Sequence, residues 1–279
     1  MNAPSRDCAL VAFGSSRPLI VLTNDDGVWS PGLAALKTAL DPLGEVRIVA
    51  PDQNRSGAAR SITMHSPLTV EEVELPDGTR AYATDGTPVD CVRMAALGLL
   101  DRTPDIVVSG INLGVNLGDD ITYSGTVAAA LEGIMLDIPA IAMSSERFGA
   151  GYDFMVPARV ARLLVKTALE KGFPAKTLLN VNCPDRPAEQ IKGMKFTRLG
   201  KRVYGDKVEY RETKGLRKEY HIYNDDLSYV HESGTDFEAM AEGWVSITPL
   251  HFDLMSHEAL DALSDWEQAI DGFGAGKED

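Results

Sequence analysis

Residues 19–27 read Leu-Ile-Val-Leu-Thr-Asn-Asp-Asp-Gly, an apolar run that gives way to two adjacent carboxylates. An uninterrupted apolar run is typical of a strand that is buried on both faces of a parallel sheet. Asp25 and Asp26 follow where this strand ends, and ligands bind at the carboxyl ends of strands in open α/β sheets. Two neighbouring negative charges repel, so keeping both ionised favours a cation beside them. The segment therefore predicts an oxygen-liganded Mg²⁺ or Mn²⁺, suited to phosphate chemistry.

Strand-like and helix-like segments alternate over residues 18–187, which we interpret as one core. We predict strands at 19–23, 46–50, 105–109, 138–143 and 177–181, and helices at 31–40, 88–100, 124–136 and 156–171. Residues 61–83 alternate like an antiparallel ribbon, and residues 110–123 read as a loop. Continuous apolar strands that alternate with helices favour a parallel sheet covered on both faces.

The segments outside this core do not show the same alternation of apolar strands and helices. Residues 1–17 are expected to form a flexible N-terminal extension. Residues 188–279 form a predicted C-terminal extension that returns to the core, with charged β-like pieces over 191–233, a strand at 244–247 and a helix at 258–270. Because a short charged ribbon buries little against its own chain, we expect it to pack on another subunit.

Composition limits the partners. The formal net charge is −14, which disfavours duplex nucleic acid as the main partner. No apolar stretch approaches the roughly 20 residues that span a bilayer, and three dispersed cysteines fit a reducing cytosol, so we expect a cytoplasmic protein without a membrane segment. Residues 192–218 carry ten basic against three acidic side chains. This stretch is either a solvated hairpin or an arm that meets an acidic subunit or attracts phosphate groups.

The loop after the second predicted strand reads Ala50-Pro-Asp-Gln-Asn-Arg-Ser-Gly57. In a parallel sheet it lies at the same edge as the acidic pair. Ser56 offers a neutral oxygen to a metal, and Gly57 lets the backbone approach a ligand. Arg55 or Arg60 is a candidate for facing a phosphate. The competing interpretation is an ordinary surface loop.

The third predicted strand is followed by three glycines spaced four apart, with Asn112 and Asn116 between them. This spacing is neither a dinucleotide fingerprint nor a P-loop. The two asparagines offer uncharged amide groups, whereas Asp119 and Asp120 are expected to be solvated. Ser124-Gly-Thr126 then opens a helix, whose N-terminus suits an anion.

Each loop also has a plain structural interpretation: Asn-Asp-Asp-Gly is good turn chemistry, and Ser124 is a good helix cap. The convergence of three polar loops at one edge of one sheet favours a site over separate turns. A Ser–His–Asp or thiol mechanism is disfavoured, because no G-x-S-x-G, H-E-x-x-H or C-x-x-C motif is present.

Five segments together resemble the survival protein E (SurE) family of metal-dependent nucleotidases. They are V-L-T-N-D-D-G at 21–27, A-P-D-Q-N-R-S-G at 50–57, T-D-G-T-P-V-D-C-V at 84–92, V-S-G-I-N-L-G-V-N-L-G at 108–118 and Y-S-G-T-V-A-A-A-L-E-G at 123–133. The later S-I-T-P-L at 246–250 also fits. The resemblance is dense over residues 19–145 and looser beyond them.

The resemblance implies a Rossmann-like three-layer α/β/α core and a C-terminal β-hairpin and helix extension used to form dimers or tetramers. It implies one divalent cation per subunit, Mg²⁺ or Mn²⁺, held by Asp25, Asp26, Ser56 and Asn112. The implied activity is hydrolysis of nucleoside 5′- and 3′-monophosphates. We predict Asp25 and Asp26 as the catalytic residues, and as substrate contacts Asn24, Gly57, Asn116, Ser124, Gly125 and Thr126.

Two other functions stay open from sequence. A non-catalytic Mg²⁺- or nucleotide-binding module would use the acidic pair alone, but such modules are shorter and place other residues at later strand ends. A nuclease or an exopolyphosphatase acting on short oligomers would use the basic stretch 192–218.

Overall fold

The computed structural model describes residues 9–14, 17–146, 152–205, 207–211, 218–221, 228–266 and 270. Its strands are β1 Leu10–Val11, β2 Leu19–Thr23, β3 Glu45–Pro51, β4 Val70–Glu74, β5 Arg80–Thr84, β6 Ile106–Leu113, β7 Ala140–Ser145, β8 Phe173–Pro174, β9 Leu178–Cys183, β10 Met194–Phe196, β11 Glu209–Arg211, β12 Glu219–His221 and β13 Val245–Leu250. Its helices are α1 Pro31–Leu40, α2 Pro88–Met94, α3 Gly125–Met135, α4 Met155–Lys171, α5 Asp236–Glu242 and α6 His257–Ala262.

One sheet of nine strands organises the molecule, in the order β10-β13-β9-β7-β6-β2-β3-β5-β4. The six central strands from β9 to β5 are parallel, and β4 and β13 add antiparallel neighbours on either side. Numbered along the chain, the parallel strands follow the order 3-2-1-4-5-6 of a Rossmann fold, in which the strand order reverses between β2 and β6. The predicted α/β core is confirmed, and its expected ligand site lies at the ends of those two strands.

The apolar strands serve both faces of the sheet because side chains alternate along each strand. Ile20 and Leu22 of β2 pack in a cluster with apolar residues of α1 and α4. Val21, between them, packs in a second cluster with α2 and α3. Two helices on each face therefore bury the run that opens the sequence, and the polar residues that follow it emerge at the rim.

Several predicted boundaries shift. The predicted loop 110–123 begins as strand, because β6 continues to Leu113. The predicted helix at 88–100 is regular only to Met94 and then widens over residues 95–99. Helix α5 was not predicted. Helix α6 ends at Ala262, and residues 267–269 and 271–279 lie outside the described residues, as do 1–8, 15–16, 212–217 and 222–227.

The two extensions meet the core where they are described. Strand β1, within the predicted flexible segment 1–17, pairs with β8. Strand β13 pairs with β9 on one side and β10 on the other, so the C-terminal extension returns to the main sheet. Strands β11 and β12 form a separate hairpin. None of the helices in the described ranges combines the length and apolar character needed to cross a bilayer.

Candidate active site

The ends of β2 and β6, the loop after β3 and the start of α3 surround a cavity of about 500 Å³. Most of the side chains predicted for the site line it. The lining residues are Asp25, Ser56, Gly57, Asn112, Leu113, Asn116, Asp120, Tyr123, Ser124, Arg202 and Tyr204. Loops far apart in the chain are thus brought to one edge of the sheet, as expected from the convergence of the motifs.

Asp25 is held firmly at the base of this cavity. The residue is 4% exposed, and its carboxylate accepts a 2.6 Å hydrogen bond from the Thr126 hydroxyl. Gly125 is packed so closely that a Cβ there would lie 2.7 Å from the Cβ of Asp25, so a larger residue would displace the carboxylate. Burial raises the pKa of Asp25, and the Thr126 hydrogen bond offsets this only in part.

Asp26 is half-buried beside it, with the Asn54 amide 3.4 Å from its Oδ1. Burial and then the charge of Asp25 raise the pKa of Asp26 to about 6, against a lowering by the Leu113 N–H. No basic group contributes to either shift. Two carboxylates in this setting lack a compensating positive charge from the described residues, which is the environment that a bound cation relieves.

The atoms near this pair that could bind a metal are oxygens, some from charged carboxylates and some from neutral hydroxyl and amide groups. No group of three or more His, Cys, Asp or Glu side chains gathers as metal ligands in the described parts of the chain. A cation at Asp25 and Asp26 therefore needs neutral oxygens to complete its shell. Hydroxyl, amide and water oxygens are what Mg²⁺ and Mn²⁺ accept alongside carboxylates.

The loop after β3 is tied directly to the acidic pair. The Arg55 N–H donates to the carbonyl of Asp25 (2.7 Å), and the Ser56 N–H donates to the Asn54 side chain (2.8 Å). The Ser56 side chain remains exposed at the cavity. Gly57 has a φ of +76° with no atom within 4 Å of a Cβ built on it, so its backbone is open to a ligand.

The suggestion that Arg55 or Arg60 faces a phosphate is wrong for this structure. The Arg55 guanidinium donates to the carbonyl of Asp85 (2.6 Å), and that of Arg60 pairs with Glu132 (2.8 Å). Neither arginine lines the cavity. Both instead fasten the loop that carries Ser56.

A bulge in β6 places Asn112. The pairing of β6 with β7 shifts between Ser109 and Asn112, so one extra residue lies in β6. Gly110 allows this close approach, since a Cβ there would be 2.1 Å from the carbonyl oxygen of Met143. The amide nitrogen of Asn112 donates to the Gly114 carbonyl (2.9 Å), which leaves its amide oxygen available to a cation. Bulges often re-aim side chains in this way next to active sites.

Asn116 is fixed by polar residues that the sequence analysis did not identify. Its side chain donates to Ser144 (2.6 Å), and its N–H donates to the Asn182 side chain (2.8 Å). Asn180 and Asn182 both donate to its carbonyl. The available signal was the alternation Asn180-Val-Asn182 within an otherwise apolar strand, which puts two amides on one buried face.

The N-terminal end of helix α3 lies at the same cavity. The Ser124 hydroxyl accepts from the Val127 N–H (3.1 Å), so Ser124 is a helix cap that also lines the cavity. Both interpretations of this residue are therefore compatible. Asn24, by contrast, exchanges two hydrogen bonds with Gly27 and is fully buried. It shapes the turn that presents Asp25 and Asp26 and does not line the cavity.

The comparisons with known proteins agree on one family. The model described as "Survival protein SurE" matches residues 20–206. The chain belongs to the survival protein SurE family. It is 48% identical over 249 residues to the curated "5'-nucleotidase SurE" of Chloroflexus aggregans, covering 89% of this chain and 98% of that protein. It is 49% identical over 258 residues to the protein of the same name from Rubrobacter xylanophilus, covering 89% and 97%.

A solved SurE structure agrees with the fold. The crystal structure of the SurE protein from Aquifex aeolicus superposes with a TM-score of 0.78 at 43% identity, covering 90% of this chain and all of that one. SurE nucleotidases are metal-dependent as a family. The two uncompensated carboxylates and the neutral oxygens around them fit that requirement.

The C-terminal extension also contributes to the cavity, through residues that no motif in the sequence indicates. Arg202 and Tyr204, both from the basic stretch 192–218, line it together with Asp120 and Tyr123. Asp120 was expected to be solvated, yet it pairs with Arg202 at 2.7 Å. The contact joins residues 82 positions apart in the chain, so no local pattern could indicate it.

Proposed function

We propose that the protein is a phosphomonoesterase that hydrolyses nucleoside 5′-monophosphates, and 3′-monophosphates, to nucleoside and phosphate. One divalent cation, Mg²⁺ or Mn²⁺, is held by Asp25, Asp26, Ser56 and Asn112. The observation that supports this most directly is the buried Asp25 at the cavity, with the half-buried Asp26 beside it in the chain and neutral oxygen donors in the cavity lining. The curated names of relatives that are nearly half identical over most of their length support the reaction class.

In the proposed hydrolysis, different residues of the chain have different roles. When bound, the cation polarises the phosphate and lowers the pKa of water. Asp25 or Asp26 orients the attacking water and takes its proton, while the Thr126 hydroxyl holds Asp25 in place. Asn116, Ser124 and the N–H groups of Gly125 and Thr126 hold the remaining phosphate oxygens, where a helix N-terminus favours negative charge. Gly57 gives the substrate room to approach the backbone.

The assembly and setting belong to the same proposal. The core spans residues 18–187, and residues 188–279 serve homodimer or homotetramer formation while returning to the core sheet. The proposal places the protein in the cytoplasm without duplex nucleic acid as a main partner; the cysteine content and the net charge of −14 support this.

The test combines a metal screen with a single substitution. We expect phosphate release from a panel of nucleoside monophosphates to require added Mg²⁺ or Mn²⁺. Asp25→Asn should abolish turnover at ordinary metal concentrations and weaken Mn²⁺ binding in calorimetry, because it removes an anionic ligand. Near-normal activity of this variant would refute the assignment.

The same panel separates the alternatives. Faster hydrolysis of a single-stranded oligonucleotide or of short polyphosphate than of a monophosphate would indicate the nuclease or exopolyphosphatase function. Metal and nucleotide binding without any turnover would indicate a non-catalytic module.

A further inference from the structure

Part of the cavity wall is aromatic and comes from outside the metal motifs. Tyr123 precedes α3 and is 62% exposed, and Tyr204 in the extension is 45% exposed. Both line the cavity that contains Asp25. Exposed aromatic rings beside a phosphate site offer flat apolar surface for a flat apolar part of a ligand.

The residues of this wall are held in place by contacts with one another. The Arg202 guanidinium pairs with Asp120 (2.7 Å), and the Tyr204 hydroxyl donates to the other oxygen of Asp120 (3.0 Å). The Arg202 guanidinium also lies 5.1 Å from the Tyr204 ring centroid. Tyr204 is thus held at its hydroxyl and at its ring, so its orientation is set before any ligand arrives.

A buried carboxylate fastens this assembly to the core. Asp236 is fully buried and accepts N–H hydrogen bonds from Gly118 and Gly200, each of 2.8 Å. Gly118 begins the turn that carries Asp120 and Tyr123, and Gly200 precedes Arg202 and Tyr204. One side chain therefore joins the two segments that supply the wall.

The charged groups in the wall indicate which part of the substrate binds there. Arg202 is partly buried and already paired with the carboxylate of Asp120. An aromatic wall whose arginine is paired in this way is a poor phosphate site but a good site for a nucleobase, because each base has a π-face.

We propose that Tyr123 and Tyr204 form the base-binding wall of the active site, where the nucleobase stacks on their rings. This inference rests on the proposed nucleotidase function and adds the residues that distinguish a nucleotide from a simple sugar phosphate. Stacking tolerates every base, so the wall accepts purines and pyrimidines, and purines bind more tightly because they bury more area.

The test compares adenosine 5′-monophosphate with ribose 5-phosphate, which lacks the base. In Tyr123→Ala we expect kcat/KM for the nucleotide to fall by about tenfold, mainly through KM, while ribose 5-phosphate turnover stays unchanged. Tyr123→Phe keeps the ring and should lose much less of this kcat/KM than Tyr123→Ala. Tyr210→Ala, which removes an exposed tyrosine from strand β11 outside the cavity lining, is the matched control.

Tyr204→Leu removes the other ring. It should also lower the kcat/KM for adenosine 5′-monophosphate relative to the kcat/KM for ribose 5-phosphate. Equal losses on both substrates, or no loss in either Tyr123→Ala or Tyr204→Leu, would overturn the base-binding wall. A wild-type protein that hydrolyses neither substrate would instead refute the proposed function itself, so the two failures are distinguishable.

Discussion

At the scale of single residues, Asp25 is oriented by the side chain of Thr126, at the start of α3. The Thr126 hydroxyl donates to Asp25 at 2.6 Å and is fully buried. Residues that orient metal ligands typically change metal affinity by about 10–100-fold when removed. We therefore predict that Thr126→Val weakens Mn²⁺ binding by about tenfold in calorimetric titration, whereas Thr126→Ser, which keeps the hydroxyl, stays close to wild type.

The same two variants distinguish an effect on the orientation of Asp25 from an effect on folding stability. Valine fills nearly the same volume as threonine, so the free energy of unfolding should change by only about 1–3 kcal/mol. Equal Mn²⁺ affinity in Thr126→Val and Thr126→Ser would show that the hydroxyl does not position Asp25.

The residues that sequence could and could not identify differ in one physical respect. Asp25 and Ser56 follow strand ends, Asn112 lies beyond the bulge of β6, and Ser124 caps a helix. At all four positions a polar residue close to a glycine stands out against apolar runs. The contacts of Asn116 with β7 and β9, and those of Arg202 with Asp120, depend on tertiary pairing. Local periodicity carries no information about such distant partners.

At the scale of elements, the loop bearing Ser56 is anchored to α3 through Glu132. This carboxylate is 3% exposed and accepts from Arg60 (2.8 Å), at the end of that loop, and from Arg93 (2.6 Å) on α2. Arg60 also lies 4.6 Å from the ring centroid of Phe252. The two arginines make similar bonds to one acid, but only Arg60 belongs to the loop that carries Ser56.

This difference predicts a separation of effects. Arg60→Met and Arg93→Met should each destabilise the fold by about 1–3 kcal/mol, since each removes one charge-assisted bond to Glu132. Only Arg60→Met should also weaken Mn²⁺ binding several-fold, because the loop carrying Ser56 loses its anchor. Thermal unfolding and calorimetric titration measure the two effects; equal metal affinities in the two variants would contradict this role of Arg60.

Among the elements, long periodic segments were predicted well and short ones poorly. Four of the six parallel strands (β2, β3, β7 and β9) and α1 were predicted within two residues of their observed bounds, because apolar runs and Pro at a helix start are strong signals. Strand β6 runs four residues beyond its predicted end, and β5, predicted only as part of an antiparallel ribbon, also pairs in parallel with β3. Helix α5 is seven residues long, too short for a clear apolar period. Its available signals were the Thr235 cap, which accepts from the Glu238 N–H, and Gly243 after its last turn.

At the scale of the whole molecule, the segment from 251 to 266 leaves its apolar side chains uncovered. Leu254, Met255 and Trp266 are 85%, 59% and 64% exposed, and Leu260 of α6 is 58% exposed. An apolar strip of this kind suits a second copy of the chain. We predict that truncation after Leu250 lowers the mass measured by light scattering to that of a monomer.

A point substitution refines this prediction. Leu260→Asp should shift the full-length protein toward monomer, whereas Asp261→Asn on the same helix removes only a charge and should leave the mass unchanged. A truncated chain that keeps the mass of the full-length assembly would contradict the role of this segment.

The sheet order has a consequence for how the protein is made. Strand β10 lies outside β13 in the sheet although it precedes β13 by about fifty residues in the chain. Asp236, which joins Gly118 to Gly200, is likewise translated late. A nascent chain still on the ribosome can fold its N-terminal strands first and present the acidic pair. The aromatic wall must await nearly complete translation, so a prematurely released fragment would carry the acidic pair without the surface we assign to the base.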